Sequence, residues 1–122
     1  MRTKICGIRS ESDLRIALAA GADAIGLICG INHRSEDEVS PETARALTRL
    51  APPFVSTVLV THRDTPESIL DLADLTGVNT IQVHGLVTLD TLIRVRAGAG
   101  SRKVLRAVHV SGEEALDDAL EA

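Results

Sequence analysis

The residues able to do chemistry in this 122-residue chain are few, and they are not scattered. Its two cysteines stand in Cys6-Gly7 and Cys29-Gly30, and its four histidines are His33, His62, His84 and His109. Cysteine offers a nucleophile, a thiolate base or a metal ligand, and histidine moves protons or binds metals. Zinc accepts such donors, but no His-x-His pair occurs and no acidic residue closes any of the apolar runs that precede these residues, so no metal site is expected. Acid–base chemistry at Cys6 is the second reading. Lys4 lies two positions earlier, on the same face of an extended segment, and a nearby cation favours a thiolate. Gly7 would let a ligand approach the backbone closely. From these residues alone an inert, buried Cys6 is the simpler account. Cys29 taken singly reads as a small packing residue, and His33 and His62 as solvated loop residues.

Such residues act together only if the chain positions them together. Short apolar runs at 5–8, 24–31, 55–61, 80–84 and 104–110 read as strands, and helical periodicity fills the intervals. Each helical segment has a start signal: Ser10-Glu11-Ser12-Asp13, Ser40-Pro41-Glu42, Thr65-Pro66-Glu67, Thr88 before Leu89, and Ser111-Gly112-Glu113-Glu114. Gly21 and Gly77 stand where a left-handed helix end is wanted. This alternation specifies an α/β fold with a mostly parallel sheet. Every cysteine and histidine then falls at or just beyond a strand's carboxyl end, where such sheets bind ligands. A flavodoxin-like doubly wound sheet and part of a (β/α)8 barrel both satisfy the pattern. Length alone favours the open sheet, because a barrel takes about 250 residues.

Composition narrows the partners. Hydrophobic residues make up 44% and charged residues 25%, ordinary for a single soluble domain. Phe54 is the only aromatic residue, so Ala, Val, Ile and Leu must fill the core. A net charge of −4, no Lys/Arg run and no stacking platform argue against nucleic acid. No apolar run approaches the roughly 20 residues of a membrane span, and no signal peptide is visible, so a cytoplasmic location is expected. The cysteine spacing fits neither a disulfide framework nor a zinc knuckle.

Five motifs then occur in order: Lys4-Ile5-Cys6-Gly7 with Glu11 and Asp13; Ala20-Gly21-Ala22-Asp23-Ala24-Ile25-Gly26; Val39-Ser40-Pro41-Glu42; Pro52-Pro53-Phe54-Val55; and Ile81-Gln82-Val83-His84-Gly85. Together they resemble the phosphoribosylanthranilate isomerase family from Lys4 to about Val110. The resemblance implies a (β/α)8 TIM barrel, of which residues 1–122 would be one incomplete domain of five βα units in sequence order. It implies an aldose–ketose isomerase of tryptophan biosynthesis, performing an Amadori rearrangement of N-(5-phosphoribosyl)anthranilate without cofactor or metal. Cys6 falls on the family's general base, which removes the C2′ proton of the opened sugar. Lys4, Gly7, Gln82, His84 and Arg106 are the expected substrate-binding residues.

Departures from the family accompany the match. Asp37, in Ser35-Glu36-Asp37-Glu38, stands where the family has an arginine facing the anthranilate carboxylate. His62 replaces an asparagine, and Leu86 an acid. The family's catalytic aspartate on the sixth strand and its phosphate loops after strands seven and eight have no counterpart in these residues. Glu113, Glu114, Asp117 and Asp118 read as solvated helix surface. The chain alone is therefore expected to be inactive, and to self-associate or pair with a missing C-terminal half. A non-catalytic assembly module and an isomerase of a different phosphosugar are the alternatives.

Overall fold

Four hydroxyl caps define the helix starts. Ser10, Ser40, Thr65 and Thr88 each accept a hydrogen bond from the backbone N–H three residues on, at 3.1 to 3.2 Å. Each bond satisfies a donor that the first helical turn leaves open, worth about 1 kcal/mol. The computed structural model describes residues 1–31, 35–85 and 87–108. In order it contains β1 (Lys4–Cys6), α1 (Glu11–Ala19), β2 (Ala24–Ile28), α2 (Pro41–Leu50), β3 (Ser56–Thr61), α3 (Pro66–Thr76), β4 (Thr80–Val83), α4 (Leu89–Gly98) and β5 (Lys103–Arg106). His33, Leu86, His109 and the segment read as a fifth helix lie outside the described residues.

The strands form one parallel sheet in the order β1-β2-β3-β4-β5. That order excludes the doubly wound alternative, in which the second strand lies on the far side of the first. The helices agree: α1 packs on α2, α2 on α3 and α3 on α4, so all four cover one face. A doubly wound sheet would divide them between two. The fold is α/β, a five-strand arc of a (β/α)8 barrel.

Alternation along each strand separates two faces. Ile25, Leu27, Leu59, Ile81 and Val83 point toward the helices and meet Leu14, Ala44, Leu47, Ile69, Leu72 and Val95. These residues are 0 to 5% exposed, and the core is aliphatic throughout, as composition required. Phe54 contributes nothing to it, being fully exposed. The opposite, concave face carries Cys6, Gly26, Val58, Thr80 and Lys103 in one register. At the amino end Asn79 and Thr57 exchange side chain–backbone hydrogen bonds of 3.0 and 3.1 Å, which fixes β3 against β4.

The first strand is displaced from the run read in the sequence. It begins at Lys4 and ends at Cys6, because Gly7 adopts φ +83° and turns the chain. Gly7 and Ile8 then both donate their N–H groups to the carbonyl of Gly26, at 3.0 and 3.1 Å.

Replacement of Ile81, 0% exposed, by alanine should cost about 2–5 kcal/mol of stability. Leu105→Ala, on the concave face at 46% exposure, should stay within about 0.5 kcal/mol. Urea unfolding of both variants checks the assignment; equal losses would mean that the helix-covered face is not the core.

Candidate active site

The parallel ladder gathers the chemically able residues at one edge of the sheet. Cys6 ends β1, Cys29 follows β2, His62 follows β3 and His84 follows β4. The backbone ladder continues past the strand ends: Cys29 N–H donates to Val60 (3.0 Å), His62 N–H to Gly30 (3.1 Å) and His84 N–H to Thr61 (2.8 Å). Cys29, His62 and His84 therefore lie along one rim, and Cys6, which ends the shorter β1, stands level with Gly26, three residues before Cys29.

The face each side chain takes decides its chemistry. Lys4 and Cys6 alternate with the core-packed Ile5 and emerge on the concave face, where Cys6 is exposed. Lys4 Nζ donates to Oε1 of Gln82 on β4. In a flat sheet β1 and β4 would stand about 14 Å apart, so this contact reports the inward curl of the arc. His84, two residues beyond Gln82, shares that face. Its ring meets His62 edge to face, with centroids 5.0 Å apart and an interplanar angle of 68°. Lys4, Cys6 and Gln82 thus share the concave face, with His84 just beyond the end of β4.

Cys29 goes the other way. It is 2% exposed, within the core cluster. Burial pushes its thiol above the ordinary cysteine range, the Glu38 carboxylate adds to that, and Arg63 opposes it. Its neutral thiol suits packing and not catalysis.

Arg106 falls on the other face of the sheet from Gln82. It pairs with the core residue Val83, and Val104, two residues earlier on the same face, packs against the core, so alternation assigns Arg106 to the helix-covered face, away from Gln82 and His84. The strand begins at Lys103, one residue before the apolar run suggests, and Lys103 and Leu105 take the concave positions. Sequence reading also missed two residues around the end of β1, Gly26 as a neighbour of the thiol and Arg9 as a partner of Asp37. A Cβ placed on Gly26 would lie 2.8 Å from Cys6 Sγ, so the thiol occupies space the glycine leaves empty. The Asp37 carboxyl group lies over Gly7, with its Cγ 3.4 Å from where a Gly7 side chain would begin. Asp37 is 3.9 Å from Arg9 Nε, and Arg9 Nη1 donates to the Glu36 carbonyl at 2.8 Å. A lone glycine inside an apolar strand was the available signal for Gly26; for Arg9 there was none.

Among the described residues no group of three or more His, Cys, Asp or Glu side chains could hold a metal ion. A family model of N-(5'-phosphoribosyl)anthranilate isomerase matches residues 3–119. The chain belongs to the phosphoribosylanthranilate isomerase family. N-(5'-phosphoribosyl)anthranilate isomerase 2 of Methanosarcina mazei is 40% identical over 112 residues, 92% of this chain and 50% of that relative. A solved phosphoribosyl anthranilate isomerase in complex with reduced 1-(o-carboxyphenylamino)-1-deoxyribulose 5-phosphate is 36% identical, with a TM-score of 0.86 over 99% of this chain and 60% of its own. Monomers generated from the dimeric Thermotoga maritima enzyme give 33% identity and a TM-score of 0.85, again over 99% and 60%. The chain spans about half the length of the curated relatives it matches. No helix among the described residues is long and apolar enough to cross a membrane.

The contrast between the two cysteines is directly testable. Iodoacetamide at neutral pH should alkylate Cys6 and spare Cys29 in the folded chain, as read by peptide mass mapping. Equal labelling would contradict the separation of the two faces.

Proposed function

We propose that this chain supplies the base-bearing half of a phosphoribosylanthranilate isomerase active site, acting on an N-phosphoribosyl amine in tryptophan biosynthesis in the cytoplasm. The observation that carries the reading is the placement of Cys6: exposed, on the concave face, beside the turn at Gly7 and flanked by Lys4. Opening the sugar ring produces an imine whose C2′ proton must be removed while the ring oxygen gains one. A thiolate at Cys6 takes the C2′ proton. Gln82 and Lys4 offer an amide and an ammonium group for sugar hydroxyls, Gly7 leaves the backbone approachable, and His84 stands two residues beyond Gln82 at the end of β4. None of these steps calls for a metal or an organic cofactor.

The other requirements lie elsewhere. By family resemblance the acid stands on a sixth strand and the phosphate loops follow strands seven and eight. We place those functions on segments beyond residues 1–122, supplied by a longer chain or a separate half. The arc has room for them. A mostly apolar hollow of about 240 Å³ lies at the β1 edge, lined by Ile5, Ile16 and Ala17 and reaching Cys6 and Gly7, and Leu105 is exposed on β5. Unpaired strand edges beside apolar surface recruit further strands.

Asp37 favours a second reading, in which the amine portion of the substrate differs from anthranilate. Its carboxyl group sits over Gly7, next to the proposed base, and would repel a carboxylate there. Arg9 neutralises it in part.

Self-association has its own surface. Phe54 is fully exposed behind the exposed Pro52 and Pro53, with Leu50 52% exposed nearby in sequence. The dimeric parent of the Thermotoga maritima monomers makes a second copy the natural occupant.

Two experiments test this. In an assembly completed with the C-terminal half of a relative, Cys6→Ala should lower turnover at least ~100-fold, while the 122-residue chain alone should show none. Near-normal turnover of Cys6→Ala removes Cys6 from the chemistry, and robust turnover of the chain alone refutes the division of labour. Phe54→Glu should weaken self-association by about 2 kcal/mol or more in sedimentation velocity; an unchanged dissociation constant would exclude Phe54 from the interface.

A further inference from the structure

Glycine inside a buried parallel strand needs a reason, because it packs nothing and loses more chain entropy than any other residue. At Gly26 backbone conformation is not that reason: among the described residues six other glycines take positive φ, and Gly26 is not one of them. What the position lacks is room. A Cβ there would lie 2.8 Å from Cys6 Sγ, 3.1 Å from Cys6 Cα and 3.3 Å from Cys6 Cβ. The first contact could be relieved by turning the thiol to another rotamer. The second involves backbone, and relieving it means pushing β1 away from β2.

Gly26 also holds Cys6 from its other side. The two residues are registered partners across the β1–β2 ladder. The Gly26 carbonyl accepts both N–H groups that follow Cys6, from Gly7 at 3.0 Å and Ile8 at 3.1 Å. One residue therefore ends the strand directly after the thiol and leaves the space into which the thiol turns. We propose that Gly26 is a positioning residue for Cys6, its missing side chain fixing the thiol's rotamer and the approach of β1. This rests on the reading of Cys6 as the base for its functional meaning, but not for its geometry.

A double-mutant cycle on the full chain tests the geometry without any assay of turnover. Gly26→Ala should lower the thermal midpoint, and the loss should be smaller in a Cys6→Ala background, where Sγ is gone. In the otherwise unchanged chain, Gly26→Ala should also alter the Cys6 alkylation rate by about two- to tenfold, the range set by moving a side chain off its rotamer. Gly98→Ala, whose added methyl would meet Leu70 and not Cys6, should leave that rate unchanged. If Gly26→Ala does not fold, the Cys6→Ala, Gly26→Ala double variant should recover the fold. In the completed assembly kcat should fall by about 10- to 100-fold with KM nearly constant, since a displacement near 1 Å has that effect. Strictly additive losses in the cycle, or unchanged alkylation in a folded Gly26→Ala chain, would overturn the proposal. Full turnover by Cys6→Ala would instead overturn the role of Cys6 and leave the cycle intact.

Discussion

The parallel hydrogen-bond ladder is the constraint on which the other features depend. Each strand pairs with its sequence neighbours and none is skipped, so every carboxyl end reaches the same edge. Because each connection is a crossover of the same hand, every helix returns on the same side. Helices confined to one side leave the other free to curl inward, and the Lys4–Gln82 contact across three strand spacings is the product. The rim, the concave face and the placement of Cys6 on it all follow from neighbour-to-neighbour pairing.

The two faces divide stability from chemistry. The helix-covered face is dry and aliphatic, and its close-packed residues carry the folding energy. The concave face mixes polar or small residues at Cys6, Gly26, Thr80, Gln82 and Lys103 with the aliphatic Val58 and Leu105, none of which belongs to that core. The cysteines show how strongly a face governs a side chain. Cys6 ends β1 and Cys29 directly follows β2, yet one meets solvent and the other a core that disfavours its ionised form.

Much of this was legible in residue patterns. The caps at Ser10, Ser40, Thr65 and Thr88 fell where hydroxyl residues precede helical periodicity, and Gly77 took the left-handed end, at φ +77°. Periodicity could not order the strands, since a doubly wound sheet and a barrel share the same alternation; only the motif resemblance separated them. Errors arose where a one-residue difference matters. Beginning β5 at Val104 instead of Lys103 leaves the eye on the apolar residues and away from the parity that turns Arg106 toward the helices. Extending β1 to Ile8 overlooked the turn at Gly7. Asp37 was visible as an acid in an arginine's place, but its seat over Gly7 depends on how the loop before α2 folds back. Gly26 needed the register, which no local pattern contains.

Electrostatics add a consequence to the alternation of faces. The chain as a whole is acidic, at −4, and repels anions at a distance. The concave strand positions reverse that sign: they include Lys4 and Lys103 and no carboxylate. The Lys4 hydrogen-bond partner is the neutral amide of Gln82, which orients the ammonium group without cancelling its charge. Low-dielectric walls concentrate such a field within a cleft, so an anion is repelled by the acidic outer surface and attracted toward the concave strand positions. Added salt screens both effects, making capture of an anionic ligand by this face a property of the medium as much as of the fold.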